Sequence, residues 1–258
     1  QYDGLPGAPK IYGNTGYQYA FIAEQHSEMV DWEQDKVSVA IIDIEVGSEN
    51  GFPDPYKADE PITAIALTFI NGHTYVFGCG DFRNDNPDTI TYIKCKDEYS
   101  LCSKFIELWS RMYPDVITGW NTKFFDIPYL VNRFRKILGE DKAKMLSPWN
   151  YISERKTNIN GRLLIAYSFV GIESLDYIEL YKWYAPGGKS QESYRLDAIA
   201  QVELGEGKIS YDEFDNLHAL YRLNHQKFIE YNIKDVELIF KLENKLKLIE
   251  LGLTLAYD

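Results

Sequence analysis

Cysteine is scarce: Cys79, Cys95 and Cys102 are the only three in 258 residues, and no two form a Cys-x-x-Cys pair. A disulfide framework and a thiolate metal knuckle are therefore both excluded, and a reducing, intracellular setting fits better. The four histidines are scattered at 26, 73, 218 and 225, which removes a zinc reading. Long apolar runs are missing as well. The longest, at 37–42 and 62–70, fall far short of a bilayer span, so no membrane association is expected. No basic stretch followed by an apolar one opens the chain, so no secretory signal is expected, and the start at Gln1 rather than Met fits a trimmed or partly ordered chain. There is no repeat and no low-complexity tract. Basic charge is in deficit, 27 Lys and Arg against 39 Asp and Glu, a net charge of −12. That balance argues against broad electrostatic gripping of nucleic acid. The argument lapses where carboxylates hold divalent cations, because the metals invert the local field.

What is present is ample core material, with 45% hydrophobic and 15% aromatic residues. Residues 1–36, rich in Gly, Tyr and Pro, read as a lead-in segment packed on the domain formed by 37–258. A Val/Ile run over 36–47 predicts a buried strand. Two further strands, 61–70 and 73–78, join at Asn71-Gly72. Helical spacing covers 98–112, a short strand 115–119, and a helix 126–138 stopped by Gly139. A projecting hairpin is expected at about 153–170, turning at Asn160-Gly161. Helices follow at 175–184, 194–204 and 217–222, and one long helix at 224–251. The order predicts an α/β domain with a mixed sheet.

Three patterns carry chemistry. In Ile41-Ile42-Asp43-Ile44-Glu45-Val46 the two acids share one face of a strand. Carboxylates that close repel unless cations lie between them, and oxygen ligands suit Mg²⁺ or Mn²⁺. Asp-x-Glu is cheap in an acidic chain and also occurs at 31–33 and 235–237, yet only the middle copy sits in an apolar strand. The second pattern is Asn121-Thr-Lys-Phe-Phe125-Asp126, where a helix N-cap is the commoner role for such an Asp. The third is Tyr231-Asn-Ile-Lys-Asp235, whose ends stack on one helical face. Tyr211 and Asp215 share that spacing in a turn-like stretch and read as a decoy.

In order and spacing, Asp43-x-Glu45, Asn121-x-x-x-Phe125-Asp126 and Tyr231-x-x-x-Asp235 resemble the three motifs of the DEDD 3′→5′ exonucleases. The Tyr form is that of the proofreading domain of phage-type family B DNA polymerases. The branch with His five residues before the last Asp is disfavoured, because Glu230 stands there. Lys10-Ile-Tyr-Gly-Asn14, Gly51-Phe52-Pro53, the segments 176–181 and 194–197, and Asn224-His-Gln226 extend the match across nearly the whole chain. The resemblance implies an RNase H-like fold and two divalent cations on Asp43, Glu45, Asp126 and Asp235. It also implies that Tyr231 orients the attacking water and that Lys208 lies near the scissile phosphate. Phe52 matches an aromatic set against terminal bases, and Asn121 and Phe125 join it as DNA contacts. From the residues alone, Lys208 reads equally as a solvated loop lysine, and Phe52 as a core anchor. Expected partners are single-stranded or frayed primer-template DNA and a polymerase palm, fingers and thumb portion in cis or in trans, in the cytoplasm of an infected bacterial host. No palm signature of the Tyr-Gly-Asp-Thr-Asp type occurs, so this chain is not expected to polymerise. A non-catalytic primer-terminus or polymerase-binding module and a free-standing repair exonuclease are the rivals. The segment 154–167, with Arg155, Lys156 and Arg162, is the candidate strand separator, or else an ordinary surface hairpin.

Overall fold

The computed structural model describes residues 36–49, 51–159, 162–185 and 191–257, together with residues 21, 24 and 25. The chain divides into two units, 1–34 and 35–258, and the account below concerns the second. The expected packing of the lead-in, with its 10–14 motif, lies outside the described residues.

Six strands form a mixed sheet in the order β4-β3-β2-β1-β5-β8. They are β1 (Val39–Val46), β2 (Ile62–Phe69), β3 (Thr74–Gly78), β4 (Ile90–Lys94), β5 (Val116–Gly119) and β8 (Glu173–Asp176). β1 pairs antiparallel with β2 on one side and parallel with β5 on the other. β2 is buried along its whole length because both faces of the sheet are covered, which explains its unbroken apolar run. The turn from β2 to β3 closes with Gly72 at positive φ and Asn71 accepting from the His73 amide.

Alternation along β1 decides everything that follows. Ala40, Ile42 and Ile44 enter one core, with Phe105 and Trp109 of α1 (Glu98–Trp109) and Leu130 and Phe134 of α2 (Asp126–Leu138). A short α3 (Glu140–Lys144) follows α2. Val39 and Ile41 enter the other core, with α4 (Tyr177–Tyr184), α5 (Leu196–Leu204), α6 (Leu217–Leu223) and α7 (His225–Leu246). Asp43 and Glu45 continue that second face, toward α7.

The hairpin β6 (Ile152–Ile159) and β7 (Arg162–Phe169) forms its own two-stranded sheet, with Ile152, Tyr167 and Phe169 buried at its base. Arg155 and Lys156 are exposed. The turn at 160–161 and the Arg162 side chain lie outside the described residues.

Two expectations need correction, and one strand was not anticipated. The last helix does not run to residue 251: it stops at Lys247, in the left-handed region at φ 55°, and α8 (Leu248–Tyr257) starts afresh. Glu243 holds the break by accepting from the amides of Ile249 and Glu250. Residues 173–176 form a strand rather than the start of a helix. Pairing with β5 decides this, since Glu173-Ser-Leu-Asp176 shows no alternation of its own. β4 was not anticipated, although its Ile-Thr-Tyr-Ile run is rich in strand-forming residues; it pairs parallel with β3.

Candidate active site

Asp43 and Glu45 from β1 and Asp235 from α7 offer carboxylate oxygens that all lie within 4.8 Å of one another. Asp126 stands beside this group of three. Phe125, not Asp126, occupies the N-cap of α2, and no side-chain cap bond forms. Asp126 Oδ1 instead accepts from the Ile44 amide, the residue between the two β1 acids, at 3.2 Å. Backbone geometry makes room for this bond. The β1–β5 ladder ends at Ile41 and Thr118, which frees the amides further along β1 on that side. Gly119 then passes so close to β1 that a Cβ there would fall 2.5 Å from the Ile42 carbonyl oxygen.

Burial and mutual repulsion govern the charges. Glu45 is pushed from 4.5 to about 8, by burial first and then by Asp235. Asp126 rises to about 7, chiefly by burial, against the opposing backbone bond from Ile44. Asp43 is raised by burial and by all three other acids, and Asp235 is raised by burial although Lys208 pulls it down.

Lys208 is no solvated loop lysine. Its Nζ lies 2.6 Å from Asp235 Oδ2 and 3.1 Å from the Tyr231 hydroxyl. Burial opposes its charge, but Asp235, Tyr231 and Asp43 together hold its pKa above the usual lysine range. Residues 205–208 are tied in place around it. The Lys208 amide donates to Asp197 Oδ1 at 2.7 Å, and Glu206 grips Lys234 and Lys241 of α7. Tyr231 is 8% exposed, one turn before Asp235, and its hydroxyl is also raised, mainly by burial.

Phe52 is 87% exposed, which answers the question of whether it is a core anchor. Its ring lies 5.4 Å from that of Phe125, next in sequence to Asp126, and Gly51 before it has φ 101°. Asn121 is exposed at φ 65°, and its amide donates to Asp176 Oδ1.

Sequence reasoning overlooked four supporting residues. Asn232 is fully buried and donates to Asp43. Asp176 accepts from the amides of Asn121, Lys123 and Ile178, and so shapes the loop that precedes Asp126. Asp197 seats Lys208. Tyr211, from the pair set aside as a decoy, packs edge-on against Tyr231 at 5.5 Å, while Asp215 is exposed. The segments 176–181 and 194–197 were the available signal for two of them.

An oxygen-only donor set without His or Cys fits a hard divalent cation. Asp235 Oδ1 supports that fit, being buried with no hydrogen-bond partner among the described residues. The sequence model described as DNA polymerase family B, exonuclease domain, matches residues 18–199. The chain belongs to this family. Membership makes it a 3′→5′ DNA exonuclease domain of the proofreading kind, a hydrolase of phosphodiester bonds. The chain is 34% identical to a DNA-directed DNA polymerase of Escherichia phage RB69 and 31% identical to that of Enterobacteria phage T4, in both cases over 95% of its own length. It is 30% identical to DNA polymerase 1 of Saccharolobus solfataricus over 83% of its length. The chain spans 30% of each phage relative and 24% of the archaeal one. Among the described residues no helix is long and apolar enough to cross a membrane.

Proposed function

We propose that the domain, residues 37–258, removes nucleotides from unpaired or mismatched DNA 3′ ends, with Asp43, Glu45, Asp126 and Asp235 as ligands of two divalent cations, Mg²⁺ or Mn²⁺. The observation that carries this reading is the convergence of Asp43, Glu45 and Asp235 within 4.8 Å, one of them with an orphaned oxygen. Bound cations lower the pKa of water and offset charge on the leaving oxygen. The chain's own residues supply the rest. The Tyr231 hydroxyl orients the attacking water without ionising, since its pKa is raised. Lys208 presents an ammonium that stays charged and faces the phosphate. Phe52 and Phe125 stack on bases of the frayed end, at about 1–3 kcal/mol per base. Asn121, exposed at the same loop, contacts the strand.

At a net charge of −12 the domain lacks the basic surface that holds duplex DNA by counterion release. It therefore relies on a polymerase portion, in cis or in trans, to deliver the primer terminus, in the cytoplasm of an infected bacterial host. Residues 1–36 are the lead-in segment to the domain, and the hairpin keeps the strands apart.

The test is a 3′-labelled and 5′-labelled single strand incubated with Mg²⁺ or Mn²⁺. Shortening from the 3′ end with mononucleotide release, stopped by EDTA, is expected. Shortening from the 5′ end, or indifference to EDTA, overturns the reading. Matched duplex, mismatched duplex and single strand should react in rising order, because a paired end must first unstack. Deleting residues 154–162 should narrow the gap between matched and mismatched ends.

A further inference from the structure

The helix that carries Tyr231 and Asp235 turns another polar side chain toward the same strand. Asn232 precedes Asp235 by three residues, so the two point the same way from α7. It is fully buried. Its Nδ2 donates to Asp43 Oδ2 at 2.7 Å and lies 3.5 Å from the Asp43 carbonyl oxygen. Its Oδ1 is buried with no partner among the described residues.

A half-satisfied amide is an expensive occupant for a helix face whose neighbours, Val236 and Ile239, are apolar and fully buried. What the amide achieves there is orientation. The last torsion of an Asp is broad and two-fold, so an unbraced Asp43 would spread its two oxygens over a range of directions. Engaging Oδ2 fixes that rotation. Against an ionised Asp43, the form that ligates a cation, the amide nitrogen is the atom that faces the carboxylate, since an amide oxygen there would repel. A lysine or arginine would brace Asp43 equally well, but its charge would offset the negative field that a dication needs. A neutral donor braces without neutralising.

We propose that Asn232 is a positioning residue for Asp43, setting the rotation of its carboxylate and through it the affinity of the acid cluster for a divalent cation. The inference rests on the reading of that cluster as a cation site.

The test is Mn²⁺ binding to EDTA-stripped protein, followed by the electron paramagnetic resonance signal of free Mn²⁺ and so independent of turnover. Asn232→Leu, similar in size and lacking the donor, should bind Mn²⁺ about 10-fold more weakly than wild type, the lower end of what loss of an outer-shell ligand partner costs. In an Asp43→Ala background the same change should alter affinity by less than about twofold, since the partner it acts through is already gone. Unchanged affinity in the wild-type background, or an equal loss in both backgrounds, overturns the inference. Failure of the wild type to bind Mn²⁺ overturns the cation-site reading itself and takes the inference with it. Asn232→Ala, which leaves space rather than an apolar branch, carries the same comparison should the Leu variant not fold. Unfolding of both variants at 25 °C would assign Asn232 to the core and reject the positioning role.

Discussion

The ammonium of Lys208 lies 2.6 Å from the carboxylate of Asp235, with the Tyr231 hydroxyl 3.1 Å from the same nitrogen. One cation thus touches both ends of the Tyr231-x-x-x-Asp235 pattern, although it enters from a loop 23 residues before Tyr231. Lys208→Met keeps the stem and removes the charge. Single-turnover hydrolysis of single-stranded DNA should fall about 10²-fold or more, the scale of losing a preorganised charge at a reacting phosphate. A rate within a few-fold of wild type would reduce Lys208 to a structural counter-ion.

Gly207 tests the same contact without altering the amine. A Cβ at this position would fall 2.4 Å from Asp197 Oδ1, the atom that receives the Lys208 amide. Gly207→Ala should therefore displace the lysine and slow hydrolysis, while circular dichroism remains that of the folded protein. Full activity would show that residues 205–208 tolerate movement.

Glu45 gives a pH-dependent prediction of opposite sign to the usual acid. Its carboxyl rises from 4.5 to about 8 in the folded protein, so between those values the folded state holds a proton that the unfolded state has released. Stability of the metal-free protein should fall as pH climbs through this window and stay low above it. Glu45→Gln removes the liability. In EDTA its melting temperature should exceed that of wild type at pH 8 by several degrees and match it at pH 4, at roughly 2–4 °C per kcal/mol for a chain of this size. Differential scanning calorimetry at the two pH values decides, and an equal shift at both would reject the assignment.

Cation binding must displace those same protons. Mg²⁺ or Mn²⁺ added at pH 7 should release protons from Asp43, raised by burial and by its acidic neighbours, from Glu45, at about 8, and in part from Asp126, at about 7. Calorimetric titration in two buffers of different ionisation enthalpy measures the number released. A heat that is identical in both buffers would mean the acids are already ionised.

Tyr231→Phe separates positioning from binding. The phenol does not ionise near neutrality, so removing its oxygen should cost roughly 10²-fold in rate and leave Mn²⁺ affinity unchanged. Retained activity would make Tyr231 a packing residue on Tyr211.

Much of this was legible in the sequence, for a physical reason. Asp43 and Glu45 are anomalous because they interrupt an apolar strand, and period-2 geometry alone places them on one face. Helix α2 shows both of its ends, at Asp126 and Gly139. Asn232 was invisible, since a single Asn in a helix carries no pattern and its meaning comes from a strand 189 residues away. Asp126 was ambiguous for the same reason: cap or brace depends on whether the Ile44 amide is free, and the length of β5 sets that. Tyr211 was set aside because its partner Asp215 lies in a turn, yet the ring matters through a neighbour rather than through its own spacing. Strand β8 was missed because pairing with β5 dictates its conformation, whereas β4 was missed although Ile-Thr-Tyr-Ile is a run of strand-forming residues.

The pairing of the Asp43–Glu45 stretch of β1 with β2 has a consequence for how the domain fails. Along Asp43–Glu45 the buried strand pairs with β2 in the middle of the core and opens only with it, whereas residues 205–208 are held by a few side-chain bonds and can detach alone. The acids and the lysine therefore belong to parts of the molecule with different lifetimes. Gentle warming should silence turnover while added Mn²⁺ still binds, and cooling should restore it: a reversible stall that precedes melting, written into the fold by drawing one charge from a buried strand and the opposite one from a tether.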